Sequence, residues 1–282
     1  MKRFSNGRVV AWLLPYNMRD DMDTNVIAQG DCLELLGMIP DESVDLVFTD
    51  PPFNVGKKYG TSDRRNDYRE WCAEWIAQCF RILKPTGSFY LMTLPKHLEW
   101  KMPIMASYGV FINLITWRNV SARGKKNAFW GEYQPIMLYG KTEKYVFHTY
   151  AERQANQEDR WGGWSGQKQG QLKDRWGGED DPLPFVYAGS IIHKEAIIIP
   201  GTKKKAHPCQ MPLGLPERGI RFSTNENDIV VDPFMGSGTT PIACLKLNRR
   251  YIGMEISPLF FQLAGDRINN HLKTPIQQEL SL

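Results

Sequence analysis

Short apolar runs alternate along the chain with stretches in which apolar residues recur at helical spacing. Val44-Asp45-Leu46-Val47-Phe48-Thr49 predicts a strand that ends in a turn at Asp50-Pro51-Pro52. Asp67 to Leu83 places Trp71, Trp75, Ile76, Cys79, Phe80 and Leu83 along one helical face and stops at Lys84-Pro85-Thr86-Gly87. Ser88–Met92 predicts a strand, Lys96–Ser107 a helix interrupted by Pro103, and Val110–Trp117 and Gln134–Tyr139 two further strands. Leu213–Phe222 has helical spacing, with Pro216 as a blemish. Ile229-Val230-Val231 is β-branched throughout, the composition of a strand buried on both faces. A helix at Thr239–Leu247 and a strand at Tyr251–Ile256 follow, and Ser257-Pro258 supplies an N-cap and a first-turn proline for a helix to about Asn270. Repeated βα units predict an α/β fold with a mostly parallel, doubly wound sheet. Such sheets bind ligands beyond the carboxyl ends of their strands.

The middle of the chain breaks this rhythm. Arg153–Pro184 is polar, rich in Gly, Gln, Asp and Trp, and carries no sustained apolar period. Asp159-Arg160-Trp161-Gly162-Gly163 returns there as Asp174-Arg175-Trp176-Gly177-Gly178. Two readings stand: the tryptophans stack on bases beside their arginines, or both turns pack on a common core. Two basic clusters flank the stretch, Arg123, Lys125 and Lys126 on one side and Lys203, Lys204 and Lys205 on the other. The formal charge of +4 is too small to name a partner, but its distribution is uneven. Arg118–Lys205 holds 15 basic and 10 acidic residues, and the remainder holds 20 and 21. The excess therefore lies in an insertion, as a solvated loop region or as a surface that faces phosphates.

Other classes recede on composition. No apolar run is long enough for a membrane span. Met1-Lys2-Arg3 with Val9–Leu14 mimics a signal peptide, but Pro15–Asp20 lacks a small-residue cleavage site, so an N-terminal arm is expected. Five cysteines with no C-x-x-C pair suit a reducing, cytoplasmic compartment without a disulfide framework or structural metal.

Asp232-Pro233-Phe234-Met235-Gly236-Ser237-Gly238-Thr239-Thr240 lies between a predicted strand and helix. Its glycines let backbone approach a ligand, and the helix start presents amides to a carboxylate or phosphate. A dinucleotide fingerprint would need glycine where Pro241 stands, and no Gly-Lys-Ser/Thr follows for a P-loop. Asp232 could hold an ammonium group while the loop amides hold a carboxylate, a pairing that suits an amino acid. Glu255, 19 residues after Gly236, is placed to accept from ribose hydroxyls. An amino acid joined to a ribose points to S-adenosylmethionine.

In Asp50-Pro51-Pro52-Phe53 the diproline pins the backbone and removes two N–H donors, leaving carbonyls as acceptors beside the Asp50 carboxylate. Two close acceptors match the two hydrogens of an exocyclic amine and favour a nitrogen whose lone pair leaves conjugation. Phe53 offers a face for a base. Taken alone, Asp-Pro also reads as a plain strand-ending turn.

Together the two segments closely resemble the DNA amino-methyltransferases, which methylate adenine N6 or cytosine N4. The catalytic segment precedes the cofactor loop with a variable stretch between, an order similar to the family's β group, a circular permutation of the usual chain. Gly30-Asp31-Cys32-Leu33-Glu34 resembles the segment that contacts the cofactor's adenine, Trp130–Leu138 the strand near a flipped-base pocket, and His207-Pro208-Cys209-Gln210-Met211-Pro212 the segment lining the methionine end. The likeness covers about Ile27–Asn270 outside the insertion. Met211 stands where the family usually has Lys, and Phe53 where Tyr is commoner. Pro208-Cys209-Gln210 also matches the cytosine-C5 enzymes, but their cysteine follows the cofactor loop, whereas Cys209 precedes it and is expected in a structural or cofactor-wall role.

The resemblance implies a Rossmann-like methyltransferase fold with a seven-stranded sheet. It divides the chain into an arm at 1–26, a catalytic half at 27–141, a target-recognition insertion at 142–205, a cofactor half at 206–272 and a tail. S-adenosylmethionine is assigned to Asp31, Cys32, His207, Asp232, Phe234, Gly236, Ser237, Gly238, Thr239 and Glu255, and catalysis to Asp50, Pro51, Pro52 and Phe53. Double-stranded DNA is assigned to the two basic clusters and to Arg160, Trp161, Arg175 and Trp176. The implied partners include a second copy of the chain and a cognate restriction endonuclease. The leading Asp50 favours adenine over cytosine, and over the RNA and protein-amide enzymes, in which Asn usually leads. A dehydrogenase is disfavoured by Pro241, and a non-catalytic DNA-binding module would have no use for both half-sites.

Overall fold

Strand β4 (Val44–Thr49) is buried at every position, as a strand covered by helices on both faces must be. The computed structural model describes residues 3–5, 8–10, 23–56, 63–118, 133–148, 185–187 and 210–273. On either side of β4 lie β9 (Ile229–Asp232) and β5 (Leu83–Met92), both parallel to it. Beyond β9 come β10 (Arg250–Glu255) and β3 (Val26–Gln29), again parallel. Beyond β5, the antiparallel β7 (Tyr133–Gly140) is inserted before β6 (Val110–Arg118). This seven-strand centre, in the order β3-β10-β9-β4-β5-β7-β6, is extended at one edge by a hairpin of β1 (Arg3–Ser5) and β2 (Arg8–Val10) and at the other by β8 (Phe185–Tyr187).

The helices fall into two layers. On one face α1 (Cys32–Leu36), α2 (Tyr68–Ile82) and α3 (Leu98–Ala106) cover a core that includes Val44, Val47, Trp75 and Phe89. On the other, α4 (Gly214–Ser223), α5 (Thr239–Lys246) and α6 (Pro258–Lys273) cover Leu46, Phe48, Val230 and Phe261. Leu46, Val47 and Phe48 thus feed alternate cores, as a pleated strand imposes, and Val44 falls out of phase because the register shifts between Val44 and Leu46. Asp45, buried within β4, accepts from Lys84 Nζ at 2.7 Å and from the amide of Ile229 at 2.9 Å, so it links three neighbouring strands.

The expected helices and strands are all present, with differences of physical origin. The strand expected at Ser88–Met92 begins earlier, at Leu83, and its stretch Lys84–Gly87 pairs irregularly with β4, because Pro85 has no amide to pair and Gly87 sits against the Asp45 carbonyl, where a Cβ would come within 3.0 Å. Pro103 lies inside α3 without ending it. Arg3–Ser5 and Arg8–Val10 contribute β1 and β2, and Phe185–Tyr187 contributes β8, to the common sheet. No helix among the described residues is long and apolar enough to cross a membrane.

Candidate active site

Because β3, β10, β9 and β4 are adjacent and parallel, their carboxyl ends share one edge. That edge presents four acids in a row, Asp31 just past β3, Glu255 at the end of β10, Asp232 at the end of β9 and Asp50 after β4. At the usual spacing between neighbouring strands the row spans about 14 Å. A cavity of about 210 Å³ follows it, lined by Asp31, Cys32, Asp50, Pro51, Pro52, Phe53, Asp232, Phe234, Gly236, Ser237, Thr239 and Glu255. The two half-sites read from the sequence therefore meet in one space.

Each acid is held by its own local geometry. Asp31 caps α1, accepting from the Leu33 amide at 2.8 Å. Glu255 accepts from the amides of Gly236 at 3.1 Å and Ser257 at 2.8 Å, and so braces the glycine loop. Gly236 and Gly238 have φ of 52° and 79°. At Gly238 a side chain would also press on Ala264, with a Cβ 3.1 Å from its methyl, so the turn into α5 requires glycine. Asp232 lines the cavity, yet its buried carboxylate accepts from Thr49 Oγ1 at 2.7 Å, Thr240 Oγ1 at 2.6 Å and the Phe234 amide at 3.1 Å. It ties β9 to β4 independently of any ligand. Gln134 Nε2 stands 3.5 Å from Asp50 Oδ1, and the Tyr68 hydroxyl donates to the Pro52 carbonyl at 2.7 Å.

Several wall residues carried no signal of their own in the sequence. Trp71 of α2 meets Phe234 edge to face at 5.5 Å, and Arg65 lies over the Trp71 ring at 5.0 Å. Met235, Ile256 and Phe260 add apolar wall. The helical spacing of α2 announced that Trp71 would be buried, but which core it joined depended on the distant loop at Phe234. His207, Cys209 and all the residues assigned to DNA (Arg123, Lys125, Lys126, Arg160, Trp161, Arg175, Trp176 and Lys203–Lys205) lie outside the described residues.

The chemistry of the wall suits S-adenosylmethionine. Five carboxylates (Asp31, Asp50, Asp63, Asp232, Glu255) and one cation (Arg65) line the cavity, a balance that favours a ligand with net positive charge. Aromatic faces at Phe53, Phe234 and Trp71 offer stacking. Burial pushes the Asp232 carboxyl up to about 6 and the Glu255 carboxyl up to about 7. Both lie above the ordinary carboxyl range, so their contribution to stability is full below about pH 4 and is lost as pH rises through those values. A cationic ligand that donates hydroxyls favours the ionised forms. Affinity for S-adenosylmethionine is therefore expected to tighten from pH 5.5 to 7.5, by up to about tenfold per unit for each group still below its pKa. Glu255→Gln is expected to flatten that slope, as calorimetric titration at several pH values would show. An affinity independent of pH would contradict it.

Comparison with known proteins agrees with this geometry. The profile of a family described as DNA methylase matches residues 44–266. The chain is 32% identical over 255 residues to the Type II methyltransferase M.HpaI of Haemophilus parainfluenzae, covering 88% of this chain and 75% of that protein. It is 29% identical over 255 residues to the DNA adenine methyltransferase YhdJ of Escherichia coli, covering 88% and 83%. Among solved structures, the M1.HpyAVI complex with S-adenosylmethionine superposes with a TM-score of 0.58 at 25% identity over 86% of this chain and 98% of that one. The cytosine-N4-specific PvuII methyltransferase, 21% identical over 87% and 90% of the two chains, shares the fold with a TM-score of 0.60. With its fold, its row of acids and its glycine loop so matched, the chain belongs to the DNA methylase family, the S-adenosylmethionine-dependent enzymes that methylate adenine N6 or cytosine N4.

Proposed function

We propose that the protein methylates adenine N6 at a specific DNA sequence. The supporting observation is that the Asp50–Phe53 turn opens into the same cavity as the glycine loop and Glu255. The target base leaves the duplex and stacks on Phe53, while the Asp50 carboxylate and the Pro51 carbonyl accept its two amine hydrogens. Holding both hydrogens draws the nitrogen lone pair out of the ring and stabilises the charge that develops there, which lowers the barrier. When bound, S-adenosylmethionine supplies an electrophilic methyl group. Asp31, Cys32, Asp232, Phe234, the 236–239 loop and Glu255 hold the cofactor, joined by His207.

Adenine is preferred to cytosine on the leading Asp50, and one relative is named a DNA adenine methyltransferase. The segment 142–205, with the basic clusters and the repeated Arg-Trp pairs, reads the DNA sequence. The Type II names of the relatives support a cognate endonuclease as partner. Sequencing DNA from a host that expresses the chain, with detection of modified bases, tests the proposal. N6-methyladenine at one recurring site is expected, and N4-methylcytosine would overturn the choice of base.

A further inference from the structure

Behind the Asp50–Phe53 turn lies a cation that the proposed chemistry does not use. Lys101 of α3 is fully buried. Its Nζ has no hydrogen-bond partner among the described residues. Three rings surround it instead, Trp100 at 5.4 Å, Tyr68 at 5.6 Å and Trp75 at 5.9 Å. Attraction to aromatic faces offsets part of the lost hydration of an ammonium group, but a methionine in such a place would carry no desolvation cost at all. The cation is therefore an expensive choice for packing alone. Tyr68 connects it to the turn, because the ring that carries the ammonium on its face ends in the hydroxyl that donates to Pro52. A positive charge on that face draws electron density from the ring and makes the hydroxyl a stronger donor.

We propose that Lys101 is a positioning residue for methyl transfer: seated on Tyr68, its ammonium strengthens the Tyr68–Pro52 hydrogen bond and so fixes the Pro51 carbonyl and Asp50 against the base amine. This rests on the catalytic reading of the Asp50–Phe53 turn. The charged and titratable groups around Lys101 are Tyr68 and Cys72 of α2, His97 just before α3, and Asp50. Burial moves Tyr68 and Cys72 up, and holds His97 down at about 4. Burial also lowers Lys101 to about 8, with the nearby Cys72 and Asp50 opposing the shift. The ammonium is thus present at neutral pH and is lost as pH rises through about 8.

The test compares full-length wild type, Lys101→Met, Tyr68→Phe, the double variant and Asp50→Ala. It measures kcat on duplex DNA across a pH series, KM for S-adenosylmethionine, and Tm. Lys101→Met is expected to lower kcat about tenfold or more at neutral pH, since small misplacements of reacting groups carry costs of that order. It should leave KM for S-adenosylmethionine and Tm near wild type and remove the fall in kcat near pH 8 that is expected of the wild type. Tyr68→Phe should give a similar loss, and the double variant no greater one, because the two act through a single contact. Unchanged kcat and pH profile in Lys101→Met would overturn the proposal, as would additive losses in the double variant or a loss of kcat that only follows a lowered Tm. If Asp50→Ala still methylates, the reading of the turn itself fails. If Asp50→Ala is inactive while Lys101→Met behaves as wild type, only the role of Lys101 fails.

Discussion

Replacing Asp50 by Ala is expected to remove methyl transfer almost entirely, by about 10²–10³-fold or more in kcat, while S-adenosylmethionine still binds. The expectation follows from position. Asp50 stands at the Asp50–Phe53 end of the row of acids, and Asp31 and Glu255 at the other. The glycine loop is held from elsewhere, by Glu255 and Asp232 through the Gly236 and Phe234 amides. Its loss removes one of the two proposed acceptors for the amine and leaves one N–H without that partner as the transition state forms, which is where the missing interaction raises the barrier. Asp50→Asn should be milder, because its amide oxygen still accepts. Single-turnover transfer of labelled methyl, with calorimetric cofactor titration on the same preparations, checks both halves. A parallel loss of cofactor affinity would move Asp50 into the cofactor site.

The second large effect is on stability. Asp232→Ala should destabilise the fold by about 3–5 kcal/mol, because it strands two hydroxyl donors in the core, those of Thr49 and Thr240, and removes the acceptor of the half-buried Phe234 amide. The Thr49 contact joins residues 183 positions apart and holds β9 beside β4 at the floor of the cavity. Asp232→Asn keeps an oxygen for two of the donors and should cost about 1–2 kcal/mol. Urea unfolding at neutral pH measures both. If Asp232→Ala unfolded like wild type and lost only cofactor affinity, Asp232 would serve the ligand alone and not the fold.

Asp232 also shows what the sequence could and could not disclose. Its place between a β-branched strand and a glycine loop is local, so the residue, the loop and the start of α5 were legible from spacing alone. Its partners are not local. Nothing near Asp232 in the chain announces Thr49, and the row from Asp31 to Asp50 exists only because the sheet places β10 and β9 between β3 and β4. β3 itself, Val-Ile-Ala-Gln, is too short to show a period, and β8 has three residues. Lys101 illustrates the same limit from the other side. Nothing in the predicted helix Lys96–Ser107 singles out its Lys101, and only the arrival of Tyr68 and Trp75 from α2 makes it a buried cation.

The most direct measurement is chemical. Purified protein is incubated with duplex DNA and methyl-labelled S-adenosylmethionine, the DNA is digested to nucleosides, and the labelled product is identified by mass spectrometry. The label is expected in N6-methyldeoxyadenosine, and to vanish with Asp50→Ala. Label in 5-methyldeoxycytidine, or in RNA or protein with none in DNA, would contradict amine methylation at the Asp50–Phe53 turn.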